Sequence, residues 1–364
     1  MKRYIVFPLL LLLFSCNKKK KNETNPTEPF DKKALVVNIA DNIILPSYQG
    51  FKISLDSLIT EYSLFSANPT LNGLQTVKAR YYAAYVKYQS ISLFEFGPAE
   101  TEIVRMNFNV FPTDTNQIKT NISTNSYSLD AASNLDAKGF PALDYLFYGL
   151  NKSENSVLQE FIATPNRKTY VTNILNEMSS KTNAVVNAWN NGYRTTFVNS
   201  LGTDVGSSIG FLVNQLNYEL DYLKNAKFGT PLGKKTLGIP VPGSCETFYS
   251  NHSVYFAKLT LNIIERVYFG LNVNGNSGVG FDDYLDHLNA KYGSQGLNEA
   301  ITNQFSVCHS KIDLVSNPLS QEVVSNPAPA DAAYAELVKL LVLLKTDMPS
   351  NLGVIITYQD GDGD

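Results

Sequence analysis

Three carboxylates stand where their neighbours give them chemical work: Glu95 two residues before Gly97-Pro98, Asp144 three after Pro141, and Glu246 four before Ser250. Carboxylate oxygens are the ligands a hard cation takes, so Glu95, Asp144 and Glu246 form a candidate set for an iron, zinc or calcium ion. Each also has a plainer use. Gly97-Pro98 should end the helix carrying Glu95, and an acid at a helix C-terminus opposes the dipole, so it is either solvated or compensated by a cation, a metal or a donor. Pro141 in a first helical turn would put Asp144 near a helix N-terminus, where an acid is favoured without any ligand. Glu246 and Ser250 either cap a helix start or reach one face of a bundle and meet Glu95 and Asp144 there. His252, His287 and His309 lack His-x-x-x-His or His-x-x-Glu spacing, and only His252 lies near a candidate acid. No serine-nucleophile elbow, phosphate-binding glycine loop or His-Glu-x-x-His zinc motif occurs, so common hydrolase machinery has no support.

The elements that must position these residues are helical almost throughout. Val36, Ile39 and Ile43 form one apolar stripe, which Pro46 should kink or break. Val77, Tyr81, Tyr85 and Tyr88 recur at three or four residues, in a helix that could run to Phe96. Pro165, capped by Thr164, starts a long helix toward Trp189. Tyr255, Leu259, Ile263 and Val267 repeat every fourth residue, and Leu337, Leu340, Leu341 and Leu344 give the last stripe. Two-residue alternation is scarce, with a short strand at Val354–Thr357 as the candidate. Long polar loops are expected at Phe111–Asp136, Phe228–Ser244 and Asn272–Gly280. The chain reads as all-α, two tandem helical bundles at residues 31–200 and 201–358, parted where Asn199-Ser200-Leu201-Gly202 interrupts the pattern.

Four segments, in order, resemble landmarks of the imelysin-like family, also called the M75 peptidase family. Arg80 and Tyr82 lead into Leu93-Phe94-Glu95-Phe96-Gly97-Pro98; Gly139 to Gly149 reads Gly-Phe-Pro-Ala-Leu-Asp-Tyr-Leu-Phe-Tyr-Gly; Cys245-Glu246-Thr247-Phe248-Tyr249-Ser250 follows; and Leu352 to Thr357 closes the series. The second is similar to the family's Gly-x-His-x-x-Glu segment, with Pro141 at the histidine position and Asp144 at the glutamate position. The third is similar to its Glu-Ser-x-Phe-Ser segment, with Thr247 for serine. The resemblance implies two bundle domains whose shared segments meet between them, with Arg80, Glu95, Asp144, Glu246 and Ser250 as ligand-binding candidates. It also implies a link with iron-regulated uptake, with haem as a further candidate ligand. The family name points to a metallopeptidase, but proline offers a metal no lone pair, and aspartate draws its carboxylate back by one methylene.

Lys2 and Arg3 followed by the apolar run Ile5–Phe14 read as a signal peptide over residues 1–15, since the run is shorter than the about 20 residues of a spanning helix. Leu13-Phe14-Ser15-Cys16 reads as a lipobox, with cleavage before Cys16 and lipid on its sulfur. The polar stretch after Cys16, with Lys18 to Lys21 and two prolines, is read as a tether over residues 16–30, and residues 359–364 as a disordered tail. The lysines either lie against anionic headgroups or are solvated. Without Lys2 and Arg3, 28 basic residues remain against 33 acidic ones, and no basic patch with interleaved aromatics argues for nucleic acid. Cys245 and Cys308 are left either to pair or to stay buried as thiols. The reading is a lipid-anchored cell-envelope protein, non-catalytic, that binds a ligand or metal in iron or haem uptake. The alternatives are an M75 metallopeptidase and an interaction module for an outer-membrane transport protein.

Overall fold

Pro46 lies inside a helical run instead of ending one. The computed structural model describes residues 29–357; the signal peptide, Cys16, nearly all of the tether and the 359–364 tail lie outside the described residues. Lys32–Asn38, the π-helical Ile39–Ile44 and Leu45–Ala67 follow one another without a gap. Proline has no N–H to bond four residues back, and the wide turn ahead of it absorbs the mismatch. The carbonyl of Asn42, the one Pro46 leaves without that donor, accepts the Val273 amide at 3.3 Å. Asn38, buried one turn earlier, donates to the carbonyls of Gly270 (2.8 Å) and Val279 (2.9 Å). The Asn272–Gly280 loop is therefore fastened to the first helix by backbone groups that would otherwise need water.

From Asp31 onward the chain forms one compact unit. Leu45–Ala67 packs against Leu71–Gln89 and Pro165–Ala188, while Leu297–Asp313 packs against Ala328–Val342. Ser208–Tyr222 and Ser253–Tyr268 belong to this second set, and Leu71–Gln89 touches Ser253–Tyr268 across the middle. Val77, Tyr81, Tyr85 and Tyr88 are all buried, as their spacing indicates. Their helix, capped by Thr70, stops at Gln89 and does not reach Phe96.

Several expectations need correction. Tyr255 is exposed: the Ser253–Tyr268 helix is buried on Val254, Ala257, Leu261 and Ile264 as well as Phe256, Ile263 and Val267, so its core face is wider than the four-residue stripe. Thr164 precedes Pro165 at the helix start, but its side chain makes no capping bond. The Phe111–Asp136 stretch contains a helix, Thr115–Thr124, capped by Asp114. Val354–Thr357 forms no strand; the only strands among the described residues are the short pair Lys291–Tyr292 and Gln295–Gly296. A side chain replaces the neighbouring strand there. Asn214 donates to the Ile355 carbonyl (3.0 Å) and accepts the Thr357 amide (2.7 Å), so one carboxamide does the pairing of a peptide group. Cys245 and Cys308 are free thiols, and burial pushes both up to about 12. Among the described residues no helix is long and apolar enough to cross a membrane.

Asn38→Ala would leave two carbonyls without their donor. The expected cost is about 2 kcal/mol, seen as a lower urea midpoint with an unchanged slope.

Candidate functional site

Gly139 opens the helix Gly139–Tyr148 at φ 69°, and a Cβ there would meet the Phe108 carbonyl oxygen at 2.4 Å. Only glycine allows that approach. Phe140 then stacks on Tyr85, rings 4.3 Å apart and 2° from parallel. Pro141 falls in the first turn, where a missing N–H costs nothing. Asp144 is therefore a turn deeper than a helix-start role requires, and it caps a different segment. Its Oδ2 accepts the backbone amides of Tyr249 (2.9 Å) and Ser250 (3.3 Å). Burial pushes its carboxyl up to about 6, against the lowering pull of Ser250, the Tyr249 amide and Tyr81. Neither the Ser250 hydroxyl nor the Tyr81 phenol points a well-directed hydrogen bond at Oδ1. The space beside Asp144, walled by Pro141, Pro112, Cys245 and Phe248, is about 10 Å³, room for one water.

Glu246 is 1% exposed, and its donors converge on one oxygen while the other faces an ammonium. Gln89 (3.1 Å) and Asn109 (2.9 Å) donate to Oε1, the Tyr85 hydroxyl lies 3.1 Å from it and shares its single proton with the nearer Asn109 carboxamide oxygen, and Lys227 forms an ion pair with Oε2 at 2.8 Å. Lys227, itself 3% exposed, also donates to Gln89 (2.8 Å) and Thr260 (2.6 Å). Lys227 reaches inward from Leu223–Gly229, a π-helical turn that follows directly on Ser208–Tyr222. Donors and acceptors thus come from both helical sets. Thr247, next in the chain, sits at φ 51°, a left-handed backbone that β-branched residues avoid.

Glu95 belongs to a second cluster. Both its oxygens accept the Arg105 amide (3.1 and 3.0 Å), at the start of the Val104–Phe108 helix, so the compensating group is a backbone donor. The turn that aims this amide places Ile103 at φ 50°. The Arg105 guanidinium is 3.6 Å from buried Glu219, donates to Gln215 (3.0 Å), and lies over the Tyr218 ring. Ser92 donates to Glu219 at 2.7 Å. Burial pushes Glu95 up to about 7, despite the opposing pull of Arg105. Arg80 is exposed on the Leu71–Gln89 helix and takes no part in either cluster.

The structure therefore brings Asp144, Ser250 and Glu246 into one junction and holds Glu95 in a neighbouring one. Among the described residues no group of three or more His, Cys, Asp or Glu side chains is arranged to hold a metal. The residues present do not fit a resident ion: Pro141 has no lone pair, Asp144 is engaged by two amides, and a cation at Glu246 would have to displace a lysine ammonium. His252 packs its ring on Tyr82 at 4.6 Å, and burial lowers its pKa.

The chain matches the imelysin profile, Peptidase M75, over residues 44–348. It belongs to the imelysin family. A Parabacteroides distasonis ATCC 8503 protein named an iron-regulated protein A precursor superposes with a TM-score of 0.73 at 18% identity, over 89% of this chain and 96% of that one. An imelysin-like protein from Psychrobacter arcticum 273-4 gives 0.66 at 13% identity, over 90% and 97%. These likenesses extend to the fold. No curated protein matches the sequence.

Sequence reasoning missed Lys227, Asn109, Arg105 and Glu219. Lys227 had a readable signal: Leu216, Leu220, Leu223 and Lys227 form one helical stripe, and a lysine in such a stripe must find a buried partner. Asn109 and Arg105 lie in a short irregular stretch with no such signal.

Removing one partner of the Lys227–Glu246 pair, by Lys227→Met or Glu246→Gln, should cost about 3–5 kcal/mol. The double variant should cost clearly less than the sum, measured as a denaturation cycle. Glu95 carries a raised folded-state pKa, so its charge weighs against folding above about 7 and ceases to do so as pH falls toward its ordinary value. Wild-type Tm should therefore gain on that of Glu95→Gln as pH is lowered from 8 to 5.

Proposed function

We propose that this imelysin-family chain is a lipid-anchored protein of the cell envelope that serves iron or haem uptake and catalyses no reaction. The observation that carries the non-catalytic part is the donor set of Glu246: an ammonium, a phenol and two carboxamides, all from the protein. A hydrolytic metal centre needs ligands free to bind and a polarised water beside them. Here Glu246 is neutralised by Lys227, Asp144 secures a backbone turn, and proline stands where a ligand would be required. The iron part rests on the likeness to a protein named as iron-regulated, and the anchoring on the Leu-Phe-Ser-Cys16 segment. In this reading the three acids hold the protein together, and the iron compound or haem is met elsewhere, with an outer-membrane transport protein as the partner that takes it onward.

The test uses purified, lipid-free protein without a metal-binding tag. A peptide library should be left uncut with or without chelator, while haem or a ferric complex raises Tm in wild type and Asp144→Asn alike. Chelator-sensitive cleavage that is lost in Glu246→Ala would restore the peptidase reading. No shift with either iron compound would remove the uptake reading.

A further inference from the structure

A polar cleft of about 270 Å³ opens beside the Asp144 junction and plays no part in the reading above. Phe248 and Tyr249, which wall the water-sized space at Asp144, also form one side of this cleft; Tyr148 forms another. Asn151, Asn251 and Gln321 stand around its mouth, all exposed. None of these three carboxamides makes a side-chain hydrogen bond among the described residues, so their donors and acceptors are available to a ligand.

The charges of the cleft are already cancelled. Lys78 is held by Glu154 at 3.0 Å and covers the Tyr148 ring at 4.6 Å; Lys152 is paired with Glu160. An anion would have to compete with those carboxylates. What remains is a set of neutral hydrogen-bonding groups alternating with half-buried aromatic rings. That combination suits a ligand with many hydroxyl groups and apolar C–H faces, which carboxamides bind at the edges and rings cover on the flat side. The volume is just below the about 300–1,000 Å³ of drug-sized sites, which fits a mono- or disaccharide unit. Gly149, Asn151 and Asn251 at the mouth adopt positive φ, 63°, 54° and 63°. Asparagine tolerates that conformation better than most side chains, so both turns suit the residues that carry the carboxamides.

We infer that this cleft is a binding site for a neutral saccharide, seated on Phe248 and Tyr249 and hydrogen-bonded by Asn151, Asn251 and Gln321. The inference stands apart from iron uptake and does not depend on it.

The experiment is saturation-transfer NMR followed by calorimetric titration of the full chain, using neutral trisaccharides of glucose, galactose, mannose, xylose and N-acetylglucosamine. At least one should bind, with signal transfer concentrated on C–H protons of one or two rings. The variant Asn151→Gly/Asn251→Gly/Gln321→Ala keeps the left-handed backbone and removes the carboxamides; it should bind at least about tenfold more weakly at unchanged Tm. Lys152→Ala should bind as wild type does. The proposal is overturned if no trisaccharide binds, if the triple variant binds equally well, or if inorganic phosphate displaces the sugar and Lys152→Ala abolishes binding.

Discussion

A lysine ammonium and a glutamate carboxylate buried side by side dictate what surrounds them. Removing two charges from water is costly, and their mutual attraction repays it only when every remaining donor and acceptor is also satisfied. Lys227 and Glu246 approach that condition by recruiting Tyr85 and Gln89 from one helical set and Thr260 from the other, with Asn109 from the stretch between, while Oε2 of Glu246 faces the ammonium alone. The helices bearing these groups have little freedom in how they cross. Phe140 stacks on Tyr85, and the same helix sends Asp144 to the amides of Tyr249 and Ser250, three and four residues beyond Glu246. The two sequence motifs are thus joined by a charge pair, a ring stack and a carboxylate-bound turn.

This arrangement has a chemical consequence. A carboxylate that accepts side-chain hydrogen bonds and faces an ammonium is an occupied ligand. In a related chain with histidine and glutamate in place of Pro141 and Asp144, the same corner would offer two side chains on one helix face. Here it offers a helix-compatible proline and a short acid turned toward backbone amides. The fold persists because what the junction requires of the Gly139–Tyr148 helix is close approach, which Gly139 and Phe140 supply, and metal ligation is not among its requirements.

Much of this was legible beforehand, and the limits have physical causes. The helices showed because apolar residues at three- and four-residue spacing leave a periodic trace, as Val77, Tyr81, Tyr85 and Tyr88 do. The meeting of Asp144 with Ser250 was legible only through the family resemblance, since no local pattern encodes a contact across 105 or 106 residues. Glu95 was misplaced because its helix ends at Gln89, and the chain turns through Ile103 to bring an amide to it. The terminal strand failed for a similar reason: Val354–Thr357 has strand-forming residues, but its partner is the side chain of Asn214.

Native-state hydrogen exchange in low urea probes the central claim most directly, that the Lys227–Glu246 pair couples the two helical sets. Amides of Leu71–Gln89 and of Ser253–Tyr268 should exchange through one shared opening event in wild type, with a common free energy. In Glu246→Ala that event should split, one set opening at lower cost than the other. Independent opening of the two sets in the wild-type protein, unaltered by the substitution, would contradict the account.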